Sequence, residues 1–283
     1  MELGKYRKNL YSQYGEDGII SKIFDILDIK SGYICEFGAW DGVHLSNTYN
    51  LYAKNPDVPE ESSFMRWQRE WPRPHHDSNF TPILIESDID KFNDLKNNLS
   101  YLNKKYIANK FINKDSNHKD SLYNIIKKFN IKDLNNKNFV LLSIDVDGPD
   151  YEIWEGFTDY EPTIVIIEAS KLLHPEEEIY PCEDGGASAG ILVKLGKEKG
   201  YELICHTGVN LVFVKKELFP KFQITDNSIK ALYIYTQGSA ILKKVELGQL
   251  TKEEGERTFQ ILNDQPGRVI QFCEGFVPGN PWQ

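Results

Sequence analysis

Apolar positions along this chain switch repeatedly between helical and strand-like spacing. From Gln13 to Asp28, residues Ile19, Ile20, Ile23, Phe24, Ile26 and Leu27 recur with helical period, and Ser31-Gly32 ends the pattern. A short apolar strand, Tyr33 to Phe37, runs through a Gly-containing turn into a polar helix start at Ser46-Asn47-Thr48. The alternation continues with a strand over Pro82 to Glu86 and a helix presenting Phe92, Leu95 and Leu99. A weak strand near Lys110 to Asn113 and a helix from about Lys119 to Phe129 come next. A strong strand from Phe139 to Ile144 ends in Asp145; a short helix over Tyr151 to Phe157 and a strand from Thr163 to Ile167, ending in Glu168, follow. After a helix from Ser188 to Lys199, strands at Tyr201 to Cys205 and Leu211 to Val214 are separated only by a turn at Thr207-Gly208, so they can pair antiparallel. This order predicts an α/β fold: a mostly parallel sheet with an antiparallel last strand and helices on both faces.

Two segments interrupt the pattern. A Pro-rich stretch at about 54–81, with Trp67, Trp71 and the pair His75-His76, is too long for an ordinary connection and reads as a lid or a contact between copies. The expected organisation is one domain over 1–222 containing that insertion, followed by a helical extension over 223–283 with signals at Ser239 to Glu246 and Thr251 to Leu262. The extension is a second candidate contact in a homo-oligomer.

Charge narrows the partners. The net charge of -9 comes from 42 acidic and 33 basic residues, and the basic residues form no arm or stripe, which argues against nucleic acid and anionic membranes. Cys35, Cys182, Cys205 and Cys273 show neither disulfide nor metal-knuckle spacing, so buried thiols in a reducing compartment are expected. No stretch approaches the ~18 apolar residues of a membrane span, and the N-terminus lacks an apolar leader core, so a cytoplasmic location is expected.

Open α/β sheets bind ligands beyond the carboxyl ends of their strands. Glu36 ends the first strand, Gly38 would admit a ligand close to the backbone, and Asp41-Gly42 turns the chain. Glu86 ends the second strand with a carboxylate able to accept both hydroxyls of a ribose. Asp115-Ser116 follows the third strand and Asp145 the fourth. The first loop contains Phe37 and Trp40 with only two glycines, unlike the G-x-G-x-x-G that brings a pyrophosphate onto a helix, and so it suits a cofactor without a pyrophosphate.

The ordered blocks YSQYGEDGI (Tyr11 to Ile19), CEFGAWDGVHLSNTYNL (Cys35 to Leu51), ILIESD (Ile83 to Asp88), LLSIDVDGPDYEIWEGF (Leu141 to Phe157) and IVIIEAS (Ile164 to Ser170) resemble FkbM-type methyltransferases, and Gly186 to Val214 extends the likeness. The resemblance implies a class I methyltransferase (Rossmann-like) fold, S-adenosyl-L-methionine as donor, and O-methylation of a hydroxyl, here on a sugar or a nucleotide-linked or phosphorylated precursor of a surface polysaccharide. Carried over by position, it implies that Glu36, Gly38, Asp41, Ser46 and Asn47 line the methionine and ribose side and that Glu86 holds the ribose. Asp115 and Ser116 would lie near the adenine, with Gln13, Glu16 and Asp17 beside the cofactor.

Three aspartates, Asp145, Asp147 and Asp150, crowd the exit of the fourth strand. Attack of a hydroxyl on a sulfonium methyl needs a base or a metal-bound hydroxyl, so Asp145, Asp147 and Glu168 are candidate catalytic groups, with Asp145 and Asp147 the ligands if a divalent ion is used. Asp150 begins a helix and reads as a dipole or capping partner. Among His174, Tyr180, His206 and Asn210 on later loops, His206 is the preferred alternative base. A metal-dependent glycosyltransferase would use the Asp145/Asp147 D-x-D but leaves the Glu36 to Gly42 loop unexplained. A non-catalytic scaffold would be expected to have a damaged cofactor loop.

Overall fold

The computed structural model describes residues 1–53, 79–170, 173, 175–180, 186–234, 244–245, 248–255 and 257. Most of the 54–81 insertion, His174, Cys182, Cys273 and most of the helical signals after residue 234 therefore lie outside the described residues.

Among the described residues the apolar runs become seven strands: β1 (Gly32–Phe37), β2 (Phe80–Glu86), β3 (Tyr106–Asn109), β4 (Phe139–Ile144), β5 (Ile164–Glu168), β6 (Tyr201–His206) and β7 (Asn210–Lys215). They form one sheet in the order β3-β2-β1-β4-β5-β7-β6. All pairings among β1 to β5 are parallel, whereas β7 runs antiparallel to both β5 and β6. This is the class I methyltransferase arrangement expected above. Strand order reverses between β1 and β4, and the crevice at such a reversal is where an open α/β sheet takes its ligand.

The main helices are α1 (Glu16–Leu27), α2 (Tyr49–Tyr52), α3 (Ile89–Asn98), α4 (Leu122–Lys128), α5 (Asp150–Gly156), α6 (Ala189–Glu198) and α7 (Ile229–Leu232). One core layer packs α4, α5 and α6 against Phe37, Ile85, Leu142, Ile167 and Phe213; the other packs α1, α2 and α3 against Ile34, Leu84, Leu141, Ile166 and Val212. Both sheet faces are thus covered, which is why the central strands read as nearly unbroken apolar runs. Side-chain caps at Asp88, Ser121 and Ser188 fix the starts of α3, α4 and α6, each contributing about 1 kcal/mol.

The third strand lies four residues before its expected place. Tyr106–Asn109 is half-buried throughout at the sheet edge, so it lacks the apolar run that marks the inner strands, and Lys110 to Asn113 is the loop beyond it. The extension expected from residue 223 begins on the same body: Ile224 packs in one core layer, while Ile229, Leu232 and Tyr233 pack in the other. Cys35 and Cys205 are buried free thiols, and burial pushes both well above the usual thiol range. Among the described residues no helix is long and apolar enough to cross a membrane.

Candidate active site

A cleft of about 530 Å³ opens at the carboxyl ends of β1, β2, β4 and β5, within the range typical of small-molecule sites. Of the residues expected at a site, Gln13, Glu16, Glu36, Gly38, Ser46, Asn47, Glu86, Asp145, Asp147 and Glu168 line it. Asp17, Asp41, Asp115, Ser116 and His206 do not.

The β1 exit is built around Glu36. Its carboxylate accepts hydrogen bonds from Ser46 Oγ (2.6 Å), Thr48 Oγ1 (2.6 Å) and the Asn47 backbone N–H (2.8 Å). Burial still pushes Glu36 up from the usual carboxylate range, against those hydrogen bonds. Asn47 Nδ2 donates to Ser143 Oγ on the adjacent strand, tying this loop to β4. Gly38 has φ +73°, and a Cβ added there would lie 1.6 Å from the Asp145 carbonyl oxygen. The glycine is therefore required by the approach of the β4 exit loop, a different reason from the ligand approach expected from sequence.

Glu86 holds the next loop. One carboxylate oxygen accepts from the Trp40 N–H (2.7 Å) and the other from the Asp88 N–H (2.8 Å). Each oxygen keeps acceptor capacity for a ligand hydroxyl. Trp40, Lys110, Phe111 and Ile112 line the same end of the cleft, and the Phe111 ring is 70% exposed. Those last three residues fall where a strand was expected. With β3 at Tyr106–Asn109 they form its exit loop, and Asp115 is not among the cleft-lining residues: its carboxylate accepts the Asn117 N–H in an exposed turn, while Ser116 lines a separate small hollow.

Asp17 and Asp41 are corrected from ligand-facing to loop-building. One Asp17 oxygen accepts the N–H groups of Leu10, Tyr11 and Ser12 and the Ser12 hydroxyl, shaping the segment that carries Gln13 and Tyr14 to the cleft. Burial pushes Asp17 above the usual carboxylate range. Burial also raises Asp41, but the His44 ring and the N–H groups of His44 and Val43 outweigh it and hold the carboxyl below its usual value.

The other end of the cleft has a different character. One carboxylate oxygen from each of Asp145, Asp147 and Glu168 lies within 4.8 Å of the others. Asp147 adopts φ +53°, unusual for a non-glycine residue, which turns the loop after β4. Burial and then Glu168 push Asp145 well above the usual carboxylate range, with further contributions from Asp150, Asp147 and Glu36. Asp150 accepts the N–H groups of Val146 and Gly148 (both 3.0 Å), so it braces the loop from within, beyond the expected helix-dipole role. A half-buried carboxyl with raised proton affinity can take a proton from a nearby hydroxyl.

His206 is not a base for this cleft. It is 1% exposed, its Nδ1 accepts the Ile234 N–H (2.9 Å), and its ring stacks on Tyr233 at 4.3 Å. Burial, with the nearby Arg7 guanidinium, lowers it to about 3. Tyr180 packs its ring against Tyr151, away from the cleft. Asn210 does line the cleft; its Nδ2 donates to Glu16 Oε1 (3.0 Å), and Glu16 Oε2 accepts the Tyr14 N–H (2.8 Å). Tyr14, Trp40, Lys110 and Phe111 also line the cleft; for Trp40, Lys110 and Phe111 an aromatic or basic residue just beyond a strand end is the available signal, masked for the last two by the strand expected there, whereas Tyr14 lies before α1 and carries no such signal.

No protein-family model and no curated protein matches the chain. Distant similarity reaches solved structures, of which two serve as examples. One is a SAM-dependent methyltransferase from Methanosarcina mazei, at 11% identity and TM-score 0.37, covering 69% of this chain and 96% of that one. Another is M. capricolum TrmK in complex with S-adenosyl-homocysteine, at 10% identity and TM-score 0.40, covering 89% and 91%. Likeness this remote carries no assignment, so the function rests on the cleft.

Proposed function

We propose that this chain is an FkbM-type methyltransferase that uses S-adenosylmethionine to O-methylate a sugar, or a nucleotide-linked or phosphorylated precursor of a surface polysaccharide, in the cytoplasm. The observation that carries the reading is the cleft at the strand-order reversal, with Glu86 at one end and the Asp145–Glu168 carboxylates at the other. When bound, the donor supplies an electrophilic methyl group on a sulfonium. Glu86 would accept the ribose hydroxyls with the capacity its two backbone N–H partners leave. Trp40 and Phe111 offer rings to a purine, and the loop braced by Glu36 with Ser46 and Asn47 lines the methionine side. Asp145 or Glu168 would take the proton from the acceptor hydroxyl as oxygen attacks. The 1–222 domain would contain this whole machinery, with Ile224, Ile229, Leu232 and Tyr233 of the extension packing on its core layers.

Calorimetric titration with S-adenosylhomocysteine tests the donor, with saturable binding expected; no heat at millimolar ligand overturns it. A screen of sugar and nucleotide-sugar acceptors with isotopically labelled donor, read by mass shift, tests the reaction. Methylation confined to nitrogen-bearing acceptors would refute the O-methyl reading.

A further inference from the structure

A single row of oxygen-bearing side chains crosses the carboxyl ends of β4 and β5 and the amino end of the antiparallel β7. Ile144 lies opposite Ile167, so Asp145, the next residue, falls level with Glu168, and Glu168 is the register partner of Asn210. Side chains at these three positions share the sheet face bearing α1, because Ile166 and Val212, two residues before Glu168 and two after Asn210, belong to that core layer. The turn at Asp147 adds a third carboxylate, with one oxygen from each acid within 4.8 Å of the others.

Like charges held this close repel, and the acids alone would not define a site. Asn210 supplies an independent observation. It is 3% exposed, lines the same cleft, and its Oδ1 has no hydrogen-bond partner. Its orientation is set by the Nδ2 bond to Glu16 Oε1, since exchanging the amide oxygen and nitrogen would turn an oxygen toward a carboxylate. A buried neutral oxygen left open beside a row of acids is the arrangement that a bound cation satisfies and water-facing acids do not require.

We propose that Asp145, Asp147, Glu168 and Asn210 Oδ1 form a divalent-cation site. The donors are all hard oxygens, with no thiolate or imidazole, which selects Mg²⁺ or Mn²⁺ over zinc or copper. The ligand set differs from a D-x-D pair because half of it comes from β5 and β7, far away in sequence. Octahedral ions leave positions for water and substrate oxygens, so the acceptor class is one that offers two adjacent oxygens, such as a vicinal diol. That last step rests on the proposed methyl transfer, in which a bound ion would lower the acceptor hydroxyl's proton affinity in place of direct proton abstraction by Asp145 or Glu168; the cation site itself does not.

The test is a Mn²⁺ titration of the full chain, stripped with EDTA and dialysed, read by electron paramagnetic resonance and calorimetry with Mg²⁺ as competitor. One saturable, Mg²⁺-displaceable site is expected, with affinity reduced at least ~10-fold by Asp145→Asn, Glu168→Gln or Asn210→Ala. In the wild-type chain, Mn²⁺ should selectively broaden the amide resonances of Val146, Asp147, Glu168 and Val209, a readout independent of any variant. No saturable binding at millimolar Mn²⁺, undiminished binding in folded variants, or broadening centred elsewhere would each overturn the site. S-adenosylhomocysteine binding measured in EDTA reports separately on the donor, so either proposal can fail alone.

Discussion

At the β1 end of the cleft, Glu36 engages both carboxylate oxygens with Ser46, Asn47 and Thr48, and Glu86 does the same with Trp40 and Asp88. At the β4–β5 end, Asp145, Asp147 and Glu168 face one another, and the strongest charged influences on Asp145 are other carboxylates. At the first end, hydrogen bonds to the charged groups, each contributing about 1.5–3 kcal/mol, offset much of the cost of burying them, although for Glu36 burial still outweighs them. Acids of the second kind have other carboxylates as their nearest charges, and repulsion among them raises the energy of the fully charged cluster. Residue type is the same at both ends; only the partners separate a loop-builder from a crowded acid.

The largest test strikes the point where the two ends meet. Gly38→Ala would drive a methyl group into the Asp145 carbonyl in a left-handed backbone conformation, so a loss on the order of 4 kcal/mol is expected in chemical denaturation. A near-wild-type midpoint would mean that the two exit loops are not locked together.

His206 gives the next effect and sets a buried base apart from both groups of acids. Its folded value of about 3 lies below the ordinary 6.5, so the unfolded chain binds the proton first. The stability associated with neutral His206 is complete above about pH 6.5 and is lost progressively as pH falls toward 3, by up to about 4 kcal/mol. Thermal melts of wild type and His206→Gln across that window should therefore converge as the pH falls; parallel curves would place His206 in contact with solvent.

Smaller and opposite effects should distinguish the two ends directly. Glu36→Gln removes the acceptor shared by three donors and should destabilise by about 1–3 kcal/mol. Asp145→Asn relieves carboxylate crowding and should leave the metal-free protein equally stable or more so, while abolishing methyl transfer. If both variants lose stability equally, the contrast fails. The smallest effect concerns the proposed purine end: Phe111→Ala should weaken S-adenosylhomocysteine binding by about 1 kcal/mol, whereas Asp115→Ala should not change it. The reverse result would restore the site to the exposed turn.

The sheet was legible because its inner strands are covered on both sides and therefore read as apolar runs, as at Phe139–Ile144. Half-buried β3 carries no such signal, and its true place at Tyr106–Asn109 brings Phe111, not Asp115, to the cleft. Strand-end acids were equally visible as candidates, yet their roles were not. Asp17 and Asp145 look alike in sequence, but one gathers the N–H groups of Leu10, Tyr11 and Ser12 while the other is crowded by carboxylates.

Local spacing by itself determined the alternating elements, the antiparallel last strand and the edge of the sheet where a ligand belongs, since periodicity and strand direction follow from near neighbours along the chain. Tertiary structure alone decided that Gly38 answers to Asp145, that His206 is sealed under Tyr233, and that Asn210 comes level with Glu168. Each depends on segments distant in sequence being brought together by the sheet, and hydrogen bonding, desolvation and charge repulsion act through that separation in space.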